Sequence, residues 1–251
     1  MAATPRRSPA DDAAEAVWAS TPDRAADARV DSRVDSRVDS RVDSRVDGPV
    51  DGRRLRRDRN RDAVVTALLS LYNEGNLAPS TEEIAARSGV SARSLFRYFD
   101  DTDDLSQAAI EQQQLLVRHL FPVDAEPADP FADRVDAVVQ QRGELFEAVE
   151  SVATVSRLKA PFQLVVADRL TQGRAYLRNQ LAVLFAGELS AMPAEVAATR
   201  LASADVATSF EAWRLLRDDQ RLTRPKAATA MATTITALFH LPADPSHGAT
   251  R

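Results

Sequence analysis

The sequence predicts an all-α protein of about nine helices. After residue 56, apolar residues recur at helical spacing, and serines, glycines and prolines mark where successive helices begin and end. No stretch shows the sustained apolar–polar alternation between hairpin turns that is typical of β-strands. With 251 residues, 44% of them hydrophobic, the chain can bury a core in one large domain or two small ones.

The composition argues against several classes of protein. A net charge of -5 argues against a protein that coats nucleic acid without recognising a particular nucleotide sequence. Cysteine is absent, which excludes disulfides and thiolate metal sites and is consistent with a reducing cytoplasm. We expect no secretory signal in residues 1–20 and no membrane span, because no run approaches about 18 apolar residues.

Residues 1–52 are predicted to be a disordered tail. Residues 29–47 repeat Arg-Val-Asp-Ser, which places like charges at i and i+4, a spacing that destabilises a helix. The segment offers too little apolar surface to offset the entropy of ordering it. The alternative is a DNA-contacting arm, although each arginine has an aspartate nearby. Residues 242–251 are predicted to be a second disordered tail.

The first predicted helix carries one apolar stripe, which consists of Val64, Ala67, Leu68, Leu71 and Tyr72. Gly75 suits the residue that ends it. Ser80-Thr81-Glu82-Glu83 is a capping box, in which the serine caps a helix at about 81–88 and the last glutamate reaches back. The following turn, Ser88-Gly89-Val90-Ser91, is tight, and its last serine suits the N-cap of a short helix at 92–98.

Two short helices joined by a tight turn form a helix-turn-helix signature, although αα corners in ordinary bundles imitate it. The second helix of this motif enters the major groove of DNA. Arg93 could donate two hydrogen bonds to the O6/N7 edge of guanine. Leu95 and Phe99 are predicted to face inward. The side chains predicted to donate to phosphates are Ser94, Arg97 and Tyr98.

A longer pattern surrounds this motif: the apolar stripe with Glu74-Gly75, then Ser80-Thr81-Glu82-Glu83-Ile84-Ala85, Gly89-Val90-Ser91, Leu95-Phe96-Arg97-Tyr98-Phe99 and Leu105. Through it, residues 57–105 resemble the DNA-binding domain of the TetR family of bacterial transcriptional regulators. The resemblance implies a three-helix DNA-binding domain, a C-terminal all-α ligand-binding and dimerisation domain, and usually repression. The residues predicted to bind DNA are Ser80, Thr81, Ser91, Ala92, Arg93, Ser94, Phe96, Arg97, Tyr98, Arg53 and Arg54.

Arg53 and Arg54 belong to a basic run, RRLRRDRNR at residues 53–61, whose arginines could lie along the DNA backbone. Two features depart from the family pattern. Phe96 stands where tyrosine is most common, which removes a phosphate-contacting hydroxyl. Thr102, expected to cap the fourth helix, stands within the acidic stretch 100–104 where lysine is common. Because acidic groups repel phosphate, an all-α small-molecule or protein binding module without DNA affinity is the alternative function.

Prolines and glycines divide the rest of the chain into further predicted helices: from about 131, from Pro161 as a first helical residue, at about 194–217 after Gly187 and Pro193, and at about 225–239. The resemblance implies that the last two pair with those of a second subunit. Such a homodimer would face a palindromic operator with recognition helices ~34 Å apart. The small residues that permit this pairing, or that simply favour helices, are Ala197, Ala198, Leu201, Ala204 and Thr208.

The resemblance also implies a pocket for an unknown small-molecule effector between C-terminal helices. The candidate contacts are Arg142, Phe146, Tyr176, Asp205, Phe210 and Trp213, each of which could equally be a core or surface residue. Gly173 leaves space on an apolar stripe. An effector that favours a subunit spacing unfit for DNA would relieve repression through its differential affinity.

No catalytic, metal or cofactor site is predicted. The histidines, of which His119 is expected in the core, have no neighbours at metal-ligand spacing, and phosphate-binding glycine motifs are absent. We therefore expect a cytoplasmic regulator that associates with the nucleoid when bound to DNA, rather than an enzyme. The predicted domains are a tail at 1–52, a DNA-binding domain at 53–104, an effector and dimerisation domain at 105–241, and a tail at 242–251.

Overall fold

The computed structural model describes residues 50–241, and eleven α-helices lie in this part. They are α1 (Val50–Asn73), α2 (Thr81–Ser88), α3 (Ala92–Leu95), α4 (Thr102–Val117), α5 (Phe131–Ala148), α6 (Glu150–Lys159), α7 (Leu164–Leu184), α8 (Ala186–Ser190), α9 (Ala194–Ala207), α10 (Phe210–Arg214) and α11 (Arg224–His240). No strand occurs between residues 50 and 241, so the all-α prediction is confirmed. The predicted tails fall outside the described residues, except that 50–52 are helical and begin α1.

Three of the eleven helices have no predicted counterpart of their own, against an expected total of about nine: α6, α8 and α10. The single turn α8 runs across Gly187, which was expected to separate helices. The helix predicted at 194–217 is interrupted after Ala207, because Ser209 starts a new helix by accepting a hydrogen bond from the Ala212 N–H at 3.1 Å. A five-residue π-helical segment, Leu215–Asp219, then continues α10.

Three local predictions are corrected. Asp101, not Thr102, caps α4, because its carboxylate accepts hydrogen bonds from two backbone N–H groups of the first turn. Pro161 does not start α7, since the chain still turns there and the Phe162 N–H donates to the Lys159 carbonyl at 2.9 Å. His119 is exposed instead of lying in the core, because α4 ends at Val117 and a 3-10 turn follows.

The N-terminal helices pack around a core formed by the predicted stripe of α1, whose five residues are all at most 7% exposed. Leu95 and Phe99 from the α3 region enter the same core. Gly75 and Gly89 end α1 and α2 with φ of 89° and 72°, the left-handed conformation that favours glycine. Val152 and Val155 of α6 complete this core, so α6 fixes the N-terminal helices to the rest of the chain.

A second apolar core joins α5, α7, α10 and α11. Leu181, Phe185, Met231 and Ile235 are at most 1% exposed at its centre. Within residues 50–241, no helix combines the length and the apolar character that crossing a membrane requires.

Candidate nucleic-acid interface and neighbouring cavity

Local hydrogen bonds shape the helix-turn-helix. The capping box is present: the Glu83 N–H donates to Ser80 Oγ at 3.2 Å, and the Ser80 N–H donates to the Glu83 carboxylate at 2.7 Å. Ser91 caps α3 by accepting a hydrogen bond from the Ser94 N–H at 3.2 Å. The α-helix predicted over 92–98 extends only to Leu95, and hydrogen-bonded turns continue it to Phe99.

This short element has one buried face and one cationic face. Leu95 and Phe99 are 4% and 2% exposed and fix it to the N-terminal core. Arg93 and Arg97 are exposed, and neither guanidinium has an ion-pair or hydrogen-bond partner among the described residues. Phe96, also exposed, lies beside them. The two guanidinium groups are therefore not neutralised by any acid of residues 52–241. They are free to donate hydrogen bonds to base edges and phosphates.

The first helix braces the end of this element through two residues that the sequence pattern did not indicate. Asn60 donates a hydrogen bond to the Tyr98 hydroxyl at 2.8 Å, which leaves the hydroxyl proton free to be donated to a phosphate. Arg61 lies over the Phe99 ring, 4.8 Å from its centroid, and pairs with Asp104 at 2.5 Å. Because these pairs join residues 38 and 43 positions apart, no local spacing could have predicted them.

The acidic stretch 100–104 is partly engaged within the protein. Asp101 Oδ1 accepts hydrogen bonds from the backbone N–H groups of Asp103 and Asp104, both at 2.8 Å. Asp104 pairs with Arg61 and also accepts from the Asp100 N–H at 3.2 Å. The Arg61–Asp104 ion pair therefore reduces the negative charge of this stretch, while Asp101 keeps its charge and uses it to cap α4.

The remaining predicted DNA contacts differ in accessibility. The hydroxyl of Ser80 donates to Glu83 at 2.8 Å and that of Ser91 donates to Ser94 at 2.9 Å, so these serines act in capping. Thr81 and Ala92 are half-buried at the starts of α2 and α3. By contrast, residues 52–59 of α1 are exposed throughout. The arginines of this segment make no ion pair or hydrogen bond within the described chain: Arg53, Arg54, Arg56, Arg57 and Arg59.

The fold and this site define a class: an all-α protein with an N-terminal helix-turn-helix whose second helix is exposed and cationic. Residues 66–109 match the family described as bacterial regulatory proteins, tetR family. The resemblance of the N-terminal helices to the TetR family of transcriptional regulators is therefore confirmed. None of the curated proteins matches the sequence.

The fold is similar to that of several solved structures. A transcriptional regulator from Rhodococcus sp. Rha1 is 17% identical with a TM-score of 0.55, over 72% of this chain and 95% of that one. A Rhodococcus sp. protein assigned to the TetR family is 18% identical with a TM-score of 0.52, over 72% and 98%. The multidrug binding protein EbrR, solved with imidazole, is 20% identical with a TM-score of 0.52, over 76% and 93%. At these identities the likeness shows the fold alone.

A cavity of about 160 Å³ lies between α4, α5, α6, α7 and the junction of α9 with α10. Of the predicted effector contacts, three line it: Phe146, Asp205 and Phe210. The other three lie outside its lining. Trp213 is 2% exposed in the C-terminal core, and the Tyr176 ring packs edge-on against Phe121 at 5.7 Å. Arg142 is fully buried behind the cavity wall, where it donates to the Leu177 carbonyl at 2.9 Å.

The rim of the cavity is an ion-pair cluster. Glu211 accepts hydrogen bonds from Arg157 Nε at 2.8 Å and from Arg174 at 2.6 Å. Burial raises the pKa of Glu211, but the hydrogen bonds and charges of these arginines lower it to about 2. Arg157 also lies over the Phe210 ring, 4.1 Å from its centroid. Burial raises the pKa of the Asp205 carboxyl, although Arg178 at 3.8 Å opposes this.

Arg142 is a buried cation without a carboxylate in contact among the described residues. Its guanidinium donates to the side-chain oxygens of Gln141 and Gln180, the latter at 2.8 Å, while its Nε has no partner. Burial lowers the pKa of Arg142 to about 10, so the group stays charged at neutral pH. Amide and carbonyl dipoles therefore hold a full positive charge close to the cavity.

Proposed function

We propose that the protein is a sequence-specific transcriptional regulator that binds a palindromic operator as a homodimer and represses until a small molecule relieves it. The observation that carries the proposal is the cationic face of α3 and the turn after it, where Arg93 and Arg97 are exposed and unpaired within residues 52–241 while Leu95 and Phe99 are buried. An exposed one-turn helix of this kind fits the major groove. The effector is proposed for the 160 Å³ cavity. That a similarly folded protein, the multidrug binding protein EbrR, was solved with imidazole supports a small-molecule ligand in general.

The domain division is part of the same proposal. Residues 53–104 form the DNA-binding domain and 105–241 the effector and dimerisation domain, which is supported by the presence of two apolar cores, the first of which also takes in Val152 and Val155 of α6. Helix α4 connects them, because Ala108 and Ala109 pack into the N-terminal core while Val117 packs into the C-terminal one. Since its target is chromosomal DNA, the protein acts in the cytoplasm at the nucleoid.

A fluorescence anisotropy titration tests the proposed function. Labelled duplex from the region upstream of the protein's own gene is compared with a shuffled duplex of equal composition, at 50 mM and 200 mM salt. We expect tighter binding to the upstream duplex at both salt concentrations, and weaker binding to both duplexes at high salt. Equal binding of the two duplexes, or none, would favour the alternative of an all-α binding module.

The arginines at the start of α1 are expected to contribute affinity without specificity. Replacing Arg53 and Arg54 together with alanine should weaken binding to the upstream and shuffled duplexes by equal factors. Each DNA phosphate that these arginines no longer neutralise should reduce the slope of log affinity against log salt by roughly 0.9. A matched control removes the same charge from two exposed positions, Arg221→Ala just before α11 and Lys226→Ala in its first turn, and should leave the slope unchanged. A change of sequence preference in the α1 variant would contradict this role.

The homodimer is expected to use the outer faces of α9 and α11. Ala204 and Thr208, named from the sequence as small interface residues, are 0% and 2% exposed and pack into their own protomer. Val206, on the opposite face of α9, is 69% exposed and suits the interface instead. Sedimentation should therefore give twice the chain mass of 27.4 kDa for the wild type.

The same sedimentation measurement should give a single-chain mass for Val206→Glu, because a carboxylate buried at the two-fold interface faces its own copy. Leu164→Glu, at an 82% exposed position of α7, is the control and should stay dimeric. A wild-type protein that sediments as one chain at micromolar concentration would contradict the dimer.

A further inference from the structure

The interior of the cavity is apolar and has room for a small hydrophobic group. Its wall is formed mainly by Ile110, Val117, Leu145, Phe146, Leu170 and Leu177. Gly173 on α7 also lines it, and a Cβ placed there would meet no atom within 4 Å. A volume of about 160 Å³ is close to that of an engineered apolar cavity of about 150 Å³ that holds benzene. The cavity therefore accommodates a body of about one aromatic ring.

Among the residues that line the cavity, positively charged side chains outnumber negatively charged ones. Three arginines, Arg157, Arg169 and Arg174, face two acids, Asp205 and Glu211. Both rim arginines donate to the same oxygen of Glu211, so a single carboxylate serves two guanidinium groups. Arg169, with 11% of its side chain exposed, is already paired with Glu111 at 3.1 Å. Arg157, with 23% exposed, shares Glu211 with Arg174, and its partial burial strengthens its attraction for an anion.

The charged residues around the cavity also disfavour a cationic ligand. Asp205 is the carboxylate most open to pairing, but Arg178 lies 3.8 Å from it, and Arg142 and Arg174 add positive potential. The fully buried Arg142 has no carboxylate partner within the described part of the chain, which adds to the cationic excess around the cavity. An incoming negative charge is stabilised by this excess, whereas an incoming positive charge is repelled.

We propose that the cavity binds a small monocarboxylate with an apolar body, and that this class of compound is the effector; the second part rests on the proposed regulatory function. The apolar body lies between α4 and α7 in the space left at Gly173. The carboxylate lies at the rim, where Arg157 and Arg174 donate hydrogen bonds to it. Charge-assisted hydrogen bonds from partly desolvated arginines supply the preference for an anion.

Calorimetric titration of the wild-type protein without DNA tests this with three probes of equal ring size: benzoate, benzyl alcohol and benzylamine. Benzoate should bind about tenfold more tightly than benzyl alcohol, and benzylamine should bind most weakly. Equal affinities, tighter binding of benzylamine, or no binding of benzoate would overturn the proposal.

Two variants test whether benzoate binds in this cavity. Arg174→Gln should reduce the affinity for benzoate about tenfold while leaving that for benzyl alcohol unchanged. Gly173→Leu should abolish binding of both, because the added side chain fills the cavity; Gly173 has ordinary helical geometry, so leucine causes no backbone strain. A thermal melt at or above that of the wild type should show that the variant is folded. Unchanged benzoate binding in Gly173→Leu would place the probe elsewhere and overturn the proposal.

The outcomes separate this inference from the proposed function. Failure of the wild type to bind benzoate, with sequence-preferring DNA binding intact, overturns the inference and leaves the regulator. Benzoate binding without DNA preference overturns the regulator and leaves the cavity assignment, with the compound as ligand of a binding module. Release of upstream DNA by benzoate, absent in Gly173→Leu, supports both.

Discussion

Phe99→Ala is expected to lower the free energy of unfolding by about 3–5 kcal/mol, the typical cost of removing a buried phenylalanine side chain. Phe99 is 2% exposed and packs in the N-terminal core with Leu95 and Ile84. Its ring also supports Arg61, whose guanidinium lies 4.8 Å from the centroid. Because the same core positions α3, we expect sequence-preferring DNA binding to be lost together with stability. Urea denaturation followed by circular dichroism measures the first effect, and anisotropy measures the second.

Phe96→Ala is the matched control, since it removes the same side chain three residues away. Phe96 is 66% exposed, so its removal should change the free energy of unfolding by no more than about 0.5 kcal/mol. An equal loss of stability in the two variants would contradict the orientation of this element, in which one aromatic ring anchors it and the other faces solvent.

Arg93→Ala is expected to cost about 1–3 kcal/mol of operator binding, which is roughly a 5- to 150-fold loss of affinity, and to relax the preference at one base pair per half-site. Arg93 is exposed and has no partner among the described residues, so its removal should leave the fold unchanged. Arg97→Ala is the comparison, because a phosphate contact carries no sequence information. It should weaken binding to upstream and shuffled duplexes alike. If Arg93→Ala also weakened both equally, Arg93 would not read bases.

The N-terminal helices could be predicted from the sequence because their determinants are local. The capping box at Ser80, the left-handed glycine at Gly89 and the stripe of α1 each lie within a few residues of the structure that they specify. The break between α9 and α10 was missed, although Ser209 is a good N-cap residue, because apolar residues continue at helical spacing on both sides of it. The N-cap residue favours a new helix, whereas the apolar stripe favours a continuous one. Tertiary packing determines which of the two forms, and a single sequence does not reveal that packing.

The DNA-binding surface and the cavity could be predicted only in part, because many of their contacts join residues that are far apart in the sequence. Arg93 and Arg97 could be placed on an exposed face from the spacing of Leu95 and Phe99 alone. The contact of Asn60 with Tyr98 and the ion pair of Arg61 with Asp104 depend on how α1 packs against the turn after α3, as well as on side-chain length. Likewise, Arg142 was predicted only as a candidate effector contact. Its partners Gln180 and Leu177 lie on α7, beyond the reach of any local pattern.

In the proposed complex, α3 enters the major groove and Arg93 contacts a guanine there. Dimethyl sulfate probing tests it directly, since the reagent methylates guanine N7 on the major-groove edge. On upstream duplex saturated with wild-type protein, we expect guanines protected in two symmetric half-sites ~34 Å apart, and one of them in each half-site to regain reactivity with saturating Arg93→Ala. Bound protein that leaves every guanine N7 as reactive as in free DNA would contradict it.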